Sequence, residues 1–394
     1  MGKELFLKYQ AQTTPYANGM EVSQAKGMYI YDSHGNKYMD LVAGVSACSL
    51  GHSHPKIIDA IKKQAESYLH VMVYGEFAQS PQYQLSKLLA DNLPENLNCT
   101  YLVNSGCEAI EGAMKLAKRC TSRSKMISFK NSYHGSTHGA LSIMGKEHYK
   151  TKFRPLLPDC HLLEYDSIAE ISKIDHHTAA VIVEPIQGAT GFRVPSTEWL
   201  QKVRERCTEV GAFLIFDEIQ TCFGRTGKLF ALKTFNVHPD ILCIAKGMGG
   251  GMPIGCFISS KENMDKLKEN PKLGHITTFG GHPVSCAASL ATLQTLLEDK
   301  EIISSIDKKE KLFRDHLQHP KIKEVRGKGL MLAIELEDAS LCNRLVEECH
   351  KSGLITFFFL FTSTAVRLSP PLIISEEEII LACTKIKDIL TKIN

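Results

Sequence analysis

Residues 212–217, Ala-Phe-Leu-Ile-Phe-Asp, and residues 241–246, Ile-Leu-Cys-Ile-Ala-Lys, are two apolar runs that each end in a charged residue. Short, continuous apolar runs of this kind are typical of strands buried on both faces of a sheet. Similar runs recur along the chain, separated by segments with helical periodicity, and this alternation predicts an α/β fold with a mostly parallel sheet. The predicted strands are Cys99–Val103, Lys125–Phe129, Ala179–Val183, Ala212–Phe216, Ile241–Ile244 and Gly255–Ile258.

The charged residues that end the two quoted runs are Asp217 and Lys246. A lysine can form a Schiff base with an aldehyde, and a buried carboxylate can keep a pyridine nitrogen protonated. The pair therefore indicates a site for pyridoxal 5'-phosphate (PLP). Taken alone, Lys246 would more often be a surface lysine before a glycine-rich loop.

Two nucleotide-binding motifs are partly matched in the same region. Asp217-Glu218 resembles a Walker B element, but the sequence has no G-x-x-x-x-G-K-[ST], which argues against a P-loop enzyme. Met248-Gly-Gly-Gly lacks the G-x-G-x-x-G order and leads to Pro253 rather than to a helix. Neither a P-loop nor a dinucleotide-binding site is therefore predicted.

A phosphate site is predicted where the strand Cys99–Val103 meets the following helix. The sequence there is Asn104-Ser-Gly-Cys-Glu-Ala, so Ser105 and Gly106 offer backbone N–H groups and a hydroxyl at the positive end of a helix. The ordinary alternative is that Ser105 only caps this helix.

The ring of PLP requires contacts on both of its faces. Asp217 and Ile219 alternate along one strand, so Asp217 could meet the ring nitrogen while Ile219 packs on one face. Tyr133, which follows the strand Lys125–Phe129, could stack on the opposite face. Taken alone, Tyr133 would more often be an aromatic residue of the core.

Composition and charge limit the classes of function. The chain has 394 residues, 43% hydrophobic and 23% charged, with a net charge of +3, so neither a nucleic-acid partner nor a membrane surface is expected. The 13 cysteines form no C-x-x-C pair and no zinc-like cluster, which predicts a reducing cytoplasmic location and no metal site. No apolar run reaches the roughly 18–20 residues needed to cross a bilayer.

Three sequence regions are predicted to build two domains. Residues 1–50 form the N-terminal part of a small domain, 51–288 form a large PLP-binding domain, and 289–394 form the C-terminal part of the small α+β domain. A β-hairpin is expected around Ser33-His-Gly-Asn36, and a helix is expected to begin at Pro55. Two further buried strands are predicted, at residues 325–336 and 354–361.

Motifs along nearly the whole chain resemble the class III aminotransferases. These PLP enzymes include the acetylornithine, ornithine, 4-aminobutyrate and ω-amino-acid aminotransferases. Single motifs of this kind are weak, but eight in the family order make chance similarity implausible. They are Gly51-His-Ser-His-Pro, Asn104-Ser-Gly-Cys-Glu-Ala, Tyr133-His-Gly, Glu184-Pro-Ile-Gln-Gly, Asp217-Glu-Ile-Gln, Lys246-Gly, Thr277-Thr-Phe-Gly-Gly-His-Pro and Arg367-Leu-Ser-Pro-Pro-Leu.

The resemblance implies PLP-dependent transferase fold type I and a ping-pong transfer of an amino group to a 2-oxo acid. Lys246 would carry the cofactor and move the proton, and Asp217 would pair with the ring nitrogen. Thr278 would reach the phosphate of a neighbouring subunit, so a homodimer with shared active sites is implied. The further cofactor contacts implied are Ser105, Gly106 and Cys107 at the phosphate, and Tyr133, His134, Glu184, Ile219 and Gln220 around the ring.

Two positions depart from the pattern of the acetylornithine, ornithine and 4-aminobutyrate enzymes. An arginine usually follows their aromatic-His-Gly motif and binds a carboxylate, whereas this chain has Ser136. Ornithine-type enzymes also carry a glutamate that gates a second arginine, and Ala189 stands there. Arg367 remains as the expected anchor for the carboxylate of the 2-oxo acid. A donor with one carboxylate or none is therefore favoured over a donor with two.

Other functions on the same scaffold stay open from the sequence. A PLP-dependent aminomutase or decarboxylase would use the same cofactor geometry, and it would need no second oxo acid for turnover. A non-catalytic α/β binding protein is a more distant alternative, because Lys246, Asp217 and the phosphate loop are all retained.

Overall fold

The structure is a computed structural model that describes residues 2–393. Its α-helices are α1 (Gly2–Tyr9), α2 (Ala43–Ser46), α3 (Pro55–Ser67), α4 (Ser80–Ala90), α5 (Gly106–Thr121), α6 (His138–Ser142), α7 (Thr197–Val210), α8 (Ala231–Phe235), α9 (Lys261–Asp265), α10 (Pro283–Glu298), α11 (Lys300–Ser304), α12 (Ile306–His316), α13 (Ala339–Lys351) and α14 (Glu376–Lys392). Short 3₁₀ turns lie at Glu147–Tyr149, Thr151–Phe153, Ile168–Lys173 and Lys246–Gly249. No helix in this range is long and apolar enough to cross a membrane.

The strands form three sheets within the same residues. They are β1 (Val22–Lys26), β2 (Tyr29–Asp32), β3 (Lys37–Asp40), β4 (Cys99–Val103), β5 (Lys125–Phe129), β6 (Cys160–Leu163), β7 (Thr178–Val183), β8 (Phe213–Asp217), β9 (Ile241–Ala245), β10 (Gly255–Ser259), β11 (Ile322–Lys328), β12 (Met331–Leu336), β13 (Leu354–Ile355), β14 (Phe357–Phe358) and β15 (Ala365–Leu368). All six strands predicted for the large sheet are confirmed to within two residues at each end.

The large sheet has the order β4-β10-β9-β8-β7-β5-β6, and it is parallel except for β10. Only a short link joins β9 to β10, whereas a parallel connection needs a dozen residues or more, so β10 runs back antiparallel. The predicted mostly parallel sheet is confirmed, but β6 was not predicted and the reversal of β10 was not foreseen.

Both faces of this sheet are buried, as its continuous apolar strands predicted. Every residue of β7 is buried, and its side chains alternate between two hydrophobic clusters. Ala180 and Ile182 belong to the cluster under α5, while Val181 and Val183 belong to the larger cluster on the opposite face. A strand with two apolar faces suits the interior of a sheet that is covered on both sides.

Two four-stranded sheets are built from the ends of the chain. One has the order β1-β2-β3-β13, and the other has the order β11-β12-β15-β14. The predicted hairpin around residues 33–36 is confirmed as β2 and β3, with Tyr31 paired with Lys37. Strand β13 comes from the C-terminal region and pairs in parallel with β3, so both termini contribute to one sheet.

Two strand predictions near the C-terminus were wrong in detail. The single strand expected at residues 325–336 is a hairpin of β11 and β12, because Gly329 turns the chain at a φ of +62°. The buried strand expected at residues 354–361 divides into β13 and β14, which belong to different sheets. Phe357 and Leu360 in this segment are exposed rather than buried. Apolar composition alone did not distinguish one long strand from two short ones.

The division into domains at residues 50 and 288 stays a prediction. The second boundary falls inside α10, which is one continuous helix from Pro283 to Glu298. The predicted helix at Pro55 is confirmed as α3, with proline in its first turn.

A buried ion pair connects β3 to the segment before α3. The Oδ2 atom of Asp40 lies 2.7 Å from Nε2 of His52, and Oδ1 of Asp40 accepts N–H bonds from Val42 and Ala43. The bond to Asp40, followed by a contact with Cys48, raises the pKa of His52 to about 9. His52 is therefore protonated at neutral pH and holds the two segments together.

We expect the stability of the fold to fall as pH rises from about 6.5, the pKa of an unfolded histidine, to about 9. The raised pKa means that protonated His52 favours the folded state below this window, and that this contribution is lost above it. After allowance for partial exposure, the loss should be about 1 kcal/mol. Thermal unfolding midpoints across this pH range test it, with His52→Gln as the control. An equal pH slope in the variant would contradict the assignment to His52.

Candidate active site

Lys246 follows the last residue of β9 and begins a tight turn. Its φ is +45°, a left-handed conformation that disfavours a residue with a side chain by about 1–2 kcal/mol. The next residue must be glycine, because a Cβ on Gly247 would lie only 2.5 Å from Oγ of Ser49. Burial and then the charge of Arg367 lower the pKa of the Lys246 amine. The strained turn thus presents an amine that loses its proton more readily than an ordinary lysine.

Asp217 is the last residue of β8, directly beside β9. Its Oδ2 atom lies 2.7 Å from Nδ1 of His134, and both side chains are buried. Its Oδ1 atom accepts the N–H of Ile219 at 3.1 Å. Within residues 2–393, Nε2 of His134 has no hydrogen-bond partner. The histidine fixes the orientation of the carboxylate, and both lie at the edge of the sheet where Lys246 lies.

Glu184 joins two loops beside this pair. Its Oε1 atom accepts the N–H of Tyr133 at 2.9 Å, and its Oε2 atom accepts the N–H of Gly188 at 2.7 Å. Burial raises the pKa of Glu184 to about 7; His134 lowers this pKa and Asp217 raises it. Burial thus disfavours the charged form of this carboxyl group, and its two hydrogen bonds hold the loop that carries Tyr133 in place.

The predicted phosphate loop lies at the N-terminus of α5, a helix of 16 residues. Ser105 is the N-cap, and its Oγ accepts the N–H of Glu108 at 3.2 Å, so the capping interpretation also holds. A Cβ on Gly106 would lie 2.8 Å from Cδ1 of Ile219, which therefore covers the loop. Cys107 accepts the N–H of Ser136 at 3.4 Å. This helix terminus retains the positive dipole and the glycine that an anion site requires.

Other predicted residues lie around the same space. Gln220 donates from Nε2 to Oγ of Ser46 at 3.3 Å, and the hydroxyl of Tyr133 lies 3.2 Å from Oγ of Ser136. Thr278 is exposed, whereas its neighbour Thr277 accepts a bond from Asn104 at the start of the phosphate loop. The structure thus brings every predicted residue except Thr278 to one region, with Thr278 on the outer surface nearby.

Arg367, in β15, is buried and has an unusual environment. Its guanidinium carbon lies 4.9 Å from the ring centre of Phe192 and 4.4 Å from that of Phe359. Nη2 donates to the carbonyl of Gly188 at 3.4 Å, while Nε and Nη1 have no partner in the part of the chain that the structure describes. Burial lowers the pKa of Arg367 to about 9. A buried cation with two unpartnered donors has the chemistry needed to bind a carboxylate.

The two aromatic residues around Arg367 were missed by the sequence analysis. Phe192 follows Gly191 in a loop, and Phe359 lies in an apolar segment that looked like ordinary core. The only available signal was their chemistry, because aromatic rings are good neighbours for a guanidinium. His134 was named from the resemblance alone, and its bond to Asp217 gives it a physical role.

Aromatic rings pack beside the loop that carries Tyr133. The rings of Tyr133 and Phe361 lie 6.2 Å apart, and those of Phe361 and Tyr149 lie 5.1 Å apart. Ala189 accepts the N–H of Phe361 through its carbonyl at 2.9 Å, and its methyl side chain offers Arg367 no carboxylate. The departures seen in the sequence therefore place a hydroxyl at Ser136 and a methyl group at Ala189, where the related enzymes carry charged side chains.

These residues fit PLP on the grounds of their own chemistry. The amine of Lys246 has a lowered pKa, the carboxylate of Asp217 is held by His134, and the N-terminus of α5 at Gly106 carries the positive end of a helix dipole, which attracts a phosphate group. The buried Nε2 atom of His134 also lacks a partner among the described residues, as expected beside a space that a ligand fills.

We expect Arg367→Met to leave the protein as stable as the wild type or to stabilise it by about 1 kcal/mol. Methionine keeps the contacts with the two rings, and the substitution removes buried donors that lack acceptors. Arg326→Met is the matched control, because Arg326 is paired with Glu335 at 2.6 Å and donates to Gly191. That change should destabilise the protein. Thermal unfolding without substrate compares the two, and a clear loss of stability in Arg367→Met would show that Arg367 is a structural residue.

Comparison with known proteins gives an independent view of the same chain. A family profile described as Aminotransferase class-III matches residues 9–390. The acetylornithine aminotransferase of Methanopyrus kandleri is 38% identical over 394 residues, covering 98% of this chain and 98% of that protein.

Solved structures agree with this match. The ornithine aminotransferase of Toxoplasma gondii, described with partial occupancy of PLP at its active site, has a TM-score of 0.91 at 32% identity, covering 98% of this chain and 93% of that one. A PLP-bound amine transaminase from an uncultivated Pseudomonas species has a TM-score of 0.90 at 26% identity, covering 98% and 99%.

The fold is therefore the α/β PLP-dependent transferase fold type I, as the resemblance implied. The cofactor is PLP, and the reaction moves an amino group from an amino acid or a primary amine to a 2-oxo acid. The chain belongs to the class III aminotransferase family.

Proposed function

We propose that Lys246 and Asp217 are the catalytic pair of this aminotransferase. Bound PLP supplies an electron-accepting ring that stabilises negative charge on the substrate carbon. Lys246 holds the cofactor, then removes a proton from the substrate and returns it on the other side of the transferred nitrogen. Its lowered pKa supports this role, since a base must lose its own proton near neutral pH. Asp217, oriented by His134, keeps the ring nitrogen protonated.

The remaining residues around the ring would position the cofactor. Ser105, Gly106 and Cys107 would bind its phosphate through the N-terminus of α5. Tyr133 and Ile219 would cover the two faces of the ring. Gln220, held by its bond to Ser46, would approach the ring oxygen, and Glu184 would lie beside both ring and substrate.

Arg367 would bind the carboxylate of the 2-oxo acid, and this residue carries the proposal on substrate class. It is buried, has two free donors among the described residues and lies near enough to Lys246 to lower the pKa of that amine. A planar guanidinium fixed between two rings offers a fork that matches a carboxylate with little loss of side-chain entropy. The absence of an acidic side chain at Ala189 leaves this fork open between reaction cycles.

The amino donor would carry one carboxylate or none. Ser136 stands in place of the arginine that usually holds a second carboxylate. The neighbouring rings of Tyr133, Tyr149 and Phe361 supply no positive charge to replace it. An acetylornithine-like or ω-amino donor satisfies this condition, and acetylornithine is the substrate named for the relative from M. kandleri. A donor with two carboxylates would leave one of them desolvated without a partner, which is unfavourable.

We expect the two half-reactions to respond differently to Arg367→Met. The KM for the 2-oxo acid should rise about 10- to 100-fold, because a charge-assisted pair is lost. The reaction of a carboxylate-free diamine such as putrescine with the PLP-loaded enzyme should keep its rate, which makes it a control within the same variant. Arg367→Lys should recover part of the loss. The cofactor absorbance follows one half-reaction at a time.

The same assay identifies the donor and tests the reaction class. N-Acetylornithine, ornithine, 4-aminobutyrate, putrescine, lysine and alanine would be compared as single donors, with pyruvate and 2-oxoglutarate as acceptors. An unchanged KM for the 2-oxo acid in Arg367→Met would show that another residue binds its carboxylate. Turnover without any oxo acid would favour an aminomutase or a decarboxylase.

We also propose that the enzyme is a homodimer with shared active sites, in which Thr278 reaches the phosphate of the neighbouring subunit. An exposed apolar surface around Thr278 supports this proposal. It is formed by two adjoining segments, residues 69–77 and 273–279, which meet through the rings of His70 and Phe279 at 4.9 Å. Its exposed apolar residues are Leu69, Val71, Met72, Phe77, Leu273, Ile276 and Phe279. Contiguous apolar surfaces of this kind are typical of subunit interfaces.

Mixing two defective variants tests the shared site. Lys246→Ala should be inactive, and Thr278→Ala should bind PLP about 10-fold more weakly through the loss of one bond to phosphate. In a mixed dimer, one site combines the intact Lys246 of one subunit with the intact Thr278 of the other. The second site of the same dimer carries both substitutions and is inactive. Random pairing of equal amounts should therefore give about a quarter of the wild-type sites. If Thr278 acts within its own chain, mixing restores nothing.

A cytoplasmic location is proposed on the grounds of cysteine chemistry. All 13 cysteines are free thiols, and eight of them are buried. Unpaired thiols in this number persist in a reducing compartment.

A further inference from the structure

Two arginines lie in one row across the four-stranded sheet that contains β11, β12 and β15. Arg326 in β11 pairs with Ala333 in β12, and Ala333 pairs in turn with Arg367 in β15. Side chains at paired positions of neighbouring strands point to the same face of a sheet. Neighbouring strands lie about 4.8 Å apart, so the two arginines begin about 10 Å apart on one face.

The loop between β7 and α7 contacts Arg367 at two points in residues 187–193. The carbonyl of Gly188 accepts a hydrogen bond from Nη2 of Arg367 at 3.4 Å. Further along the loop, the ring centre of Phe192 lies 4.9 Å from the guanidinium carbon of Arg367. A stacked ring restricts the directions in which a planar guanidinium can face. The loop therefore helps to orient Nε and Nη1, the donors of Arg367 that have no partner among the described residues.

Phe192 occupies this position in an unfavourable backbone conformation. Its φ is +53°, and the φ of Gly191 before it is +85°. The left-handed conformation suits glycine, but it is unfavourable for a residue with a side chain such as phenylalanine. Such a conformation persists only where the surrounding structure holds it in place. The peptide group between Gly191 and Phe192 therefore needs a specific contact with the rest of the protein.

Arg326 supplies that contact. Its Nε donates at 2.5 Å to the carbonyl of Gly191, which belongs to the same peptide group. A Cβ on Gly191 would collide with the guanidinium of Arg326, so the contact requires glycine at this position. Nη2 of Arg326 lies 2.6 Å from Oε2 of Glu335, and Nη1 lies 3.7 Å from Oε2 of Glu324. The two acids fix this guanidinium and offset its charge, so Arg367 is the arginine of the row that is left for a ligand.

We propose that Arg326 is a positioning residue for the carboxylate of the 2-oxo acid. It holds the peptide group between Gly191 and Phe192, and Phe192 in turn orients the guanidinium of Arg367, which binds the carboxylate. Loss of Arg326 lets the loop relax and weakens binding of the 2-oxo acid, while the proton transfer at Lys246 is unchanged. This inference deepens the proposed function and rests on the role given there to Arg367.

The acceptor half-reaction tests the proposal. Enzyme loaded with pyridoxamine phosphate is mixed with increasing 2-oxoglutarate or pyruvate, and the cofactor absorbance is followed. Arg326→Lys should raise the half-saturating concentration about 5- to 10-fold, whereas the rate at saturation should stay within about twofold of the wild type. A lysine amine lacks the fork of arginine, so it can remain with Glu335 but cannot also hold the carbonyl of Gly191.

A double variant shows whether Arg326 acts through Arg367. Arg326→Met alone should raise the half-saturating concentration as Arg326→Lys does. Combined with Arg367→Met, it should add nothing to the effect of Arg367→Met, because two residues that act through one contact are not additive. Multiplied effects in the double variant would show that Arg326 binds the 2-oxo acid independently, and would overturn the positioning role.

Arg314→Met is the matched control. Arg314, in α12, binds β11 on either side of Arg326, through the carbonyls of Val325 and Gly327. Among the described residues, its hydrogen bonds lie outside the 187–193 loop. Arg314→Met should therefore lower the thermal unfolding midpoint but leave the half-saturating concentration of the 2-oxo acid unchanged. An equal rise in this control would show that any weakening of β11 has the same effect.

Hydrogen exchange gives a second readout that does not depend on activity. The backbone N–H of Gln187 donates to the carbonyl of Arg193 at 3.0 Å and closes the loop. In the PLP-loaded protein without substrate, Arg326→Lys should make peptides that cover residues 187–193 exchange faster, because a released loop opens more often. Arg314→Met should leave this exchange as in the wild type. Mass spectrometry measures both.

The outcomes separate this inference from the proposed function. If Arg367→Met weakens binding of the 2-oxo acid and Arg326→Lys does not, the positioning role is overturned and the proposed function stands. Weaker binding in Arg326→Lys without faster exchange at residues 187–193 would also overturn it, since the loop would not be the route. Unchanged binding in Arg367→Met would contradict the proposed function itself, and the inference would fall with it.

Discussion

The burial of Arg367, Asp217 and Glu184 around the partly buried Lys246 is the constraint on which the site depends. Lys246 and Arg367 are the cations, and Asp217 and Glu184 are the acids. Burial is the main cause of the pKa shifts of Lys246, Arg367 and Glu184. Removing water penalises each charge, but it also strengthens every interaction with a bound charge. The space is therefore unfavourable when unfilled and well suited to a ligand that carries phosphate and carboxylate groups.

The fold supplies this arrangement through strand order. Strands β8 and β9 are parallel neighbours, so Asp217 and Lys246 arrive at the same edge of the sheet. The antiparallel β10 lies between β9 and β4, and its first residue, Gly255, packs on Ser105 so closely that a Cβ would lie 2.4 Å from the carbonyl oxygen. The reversed strand thus joins the phosphate loop to the lysine strand. A longer connection between β9 and β10 would have placed the phosphate loop and the strand before Lys246 further apart.

Much of this arrangement could be predicted from the sequence, because it is encoded locally. The strands that end in Asp217 and Lys246 and the capped helix after Ser105 are visible in short windows. The bond between His134 and Asp217 and the rings that hold Arg367 join distant segments, and no local pattern encodes them. The hairpin at residues 322–336 was missed for a different reason, since the turn residues Gly327-Lys-Gly329 were read as part of one strand with the apolar run that follows them.

The pairing of β13 with β3 has a consequence for synthesis of the protein. Leu354 aligns with Met39, so the partners lie almost the full length of the chain apart. A ribosome delivers the N-terminal hairpin first, and that hairpin has an unsatisfied edge until nearly the whole chain has emerged. The large sheet, whose strands all precede residue 260, can assemble earlier. The nascent chain therefore passes through a period in which its large sheet is formed and both four-stranded sheets are still incomplete. Chaperones that cover exposed edges would act in that interval.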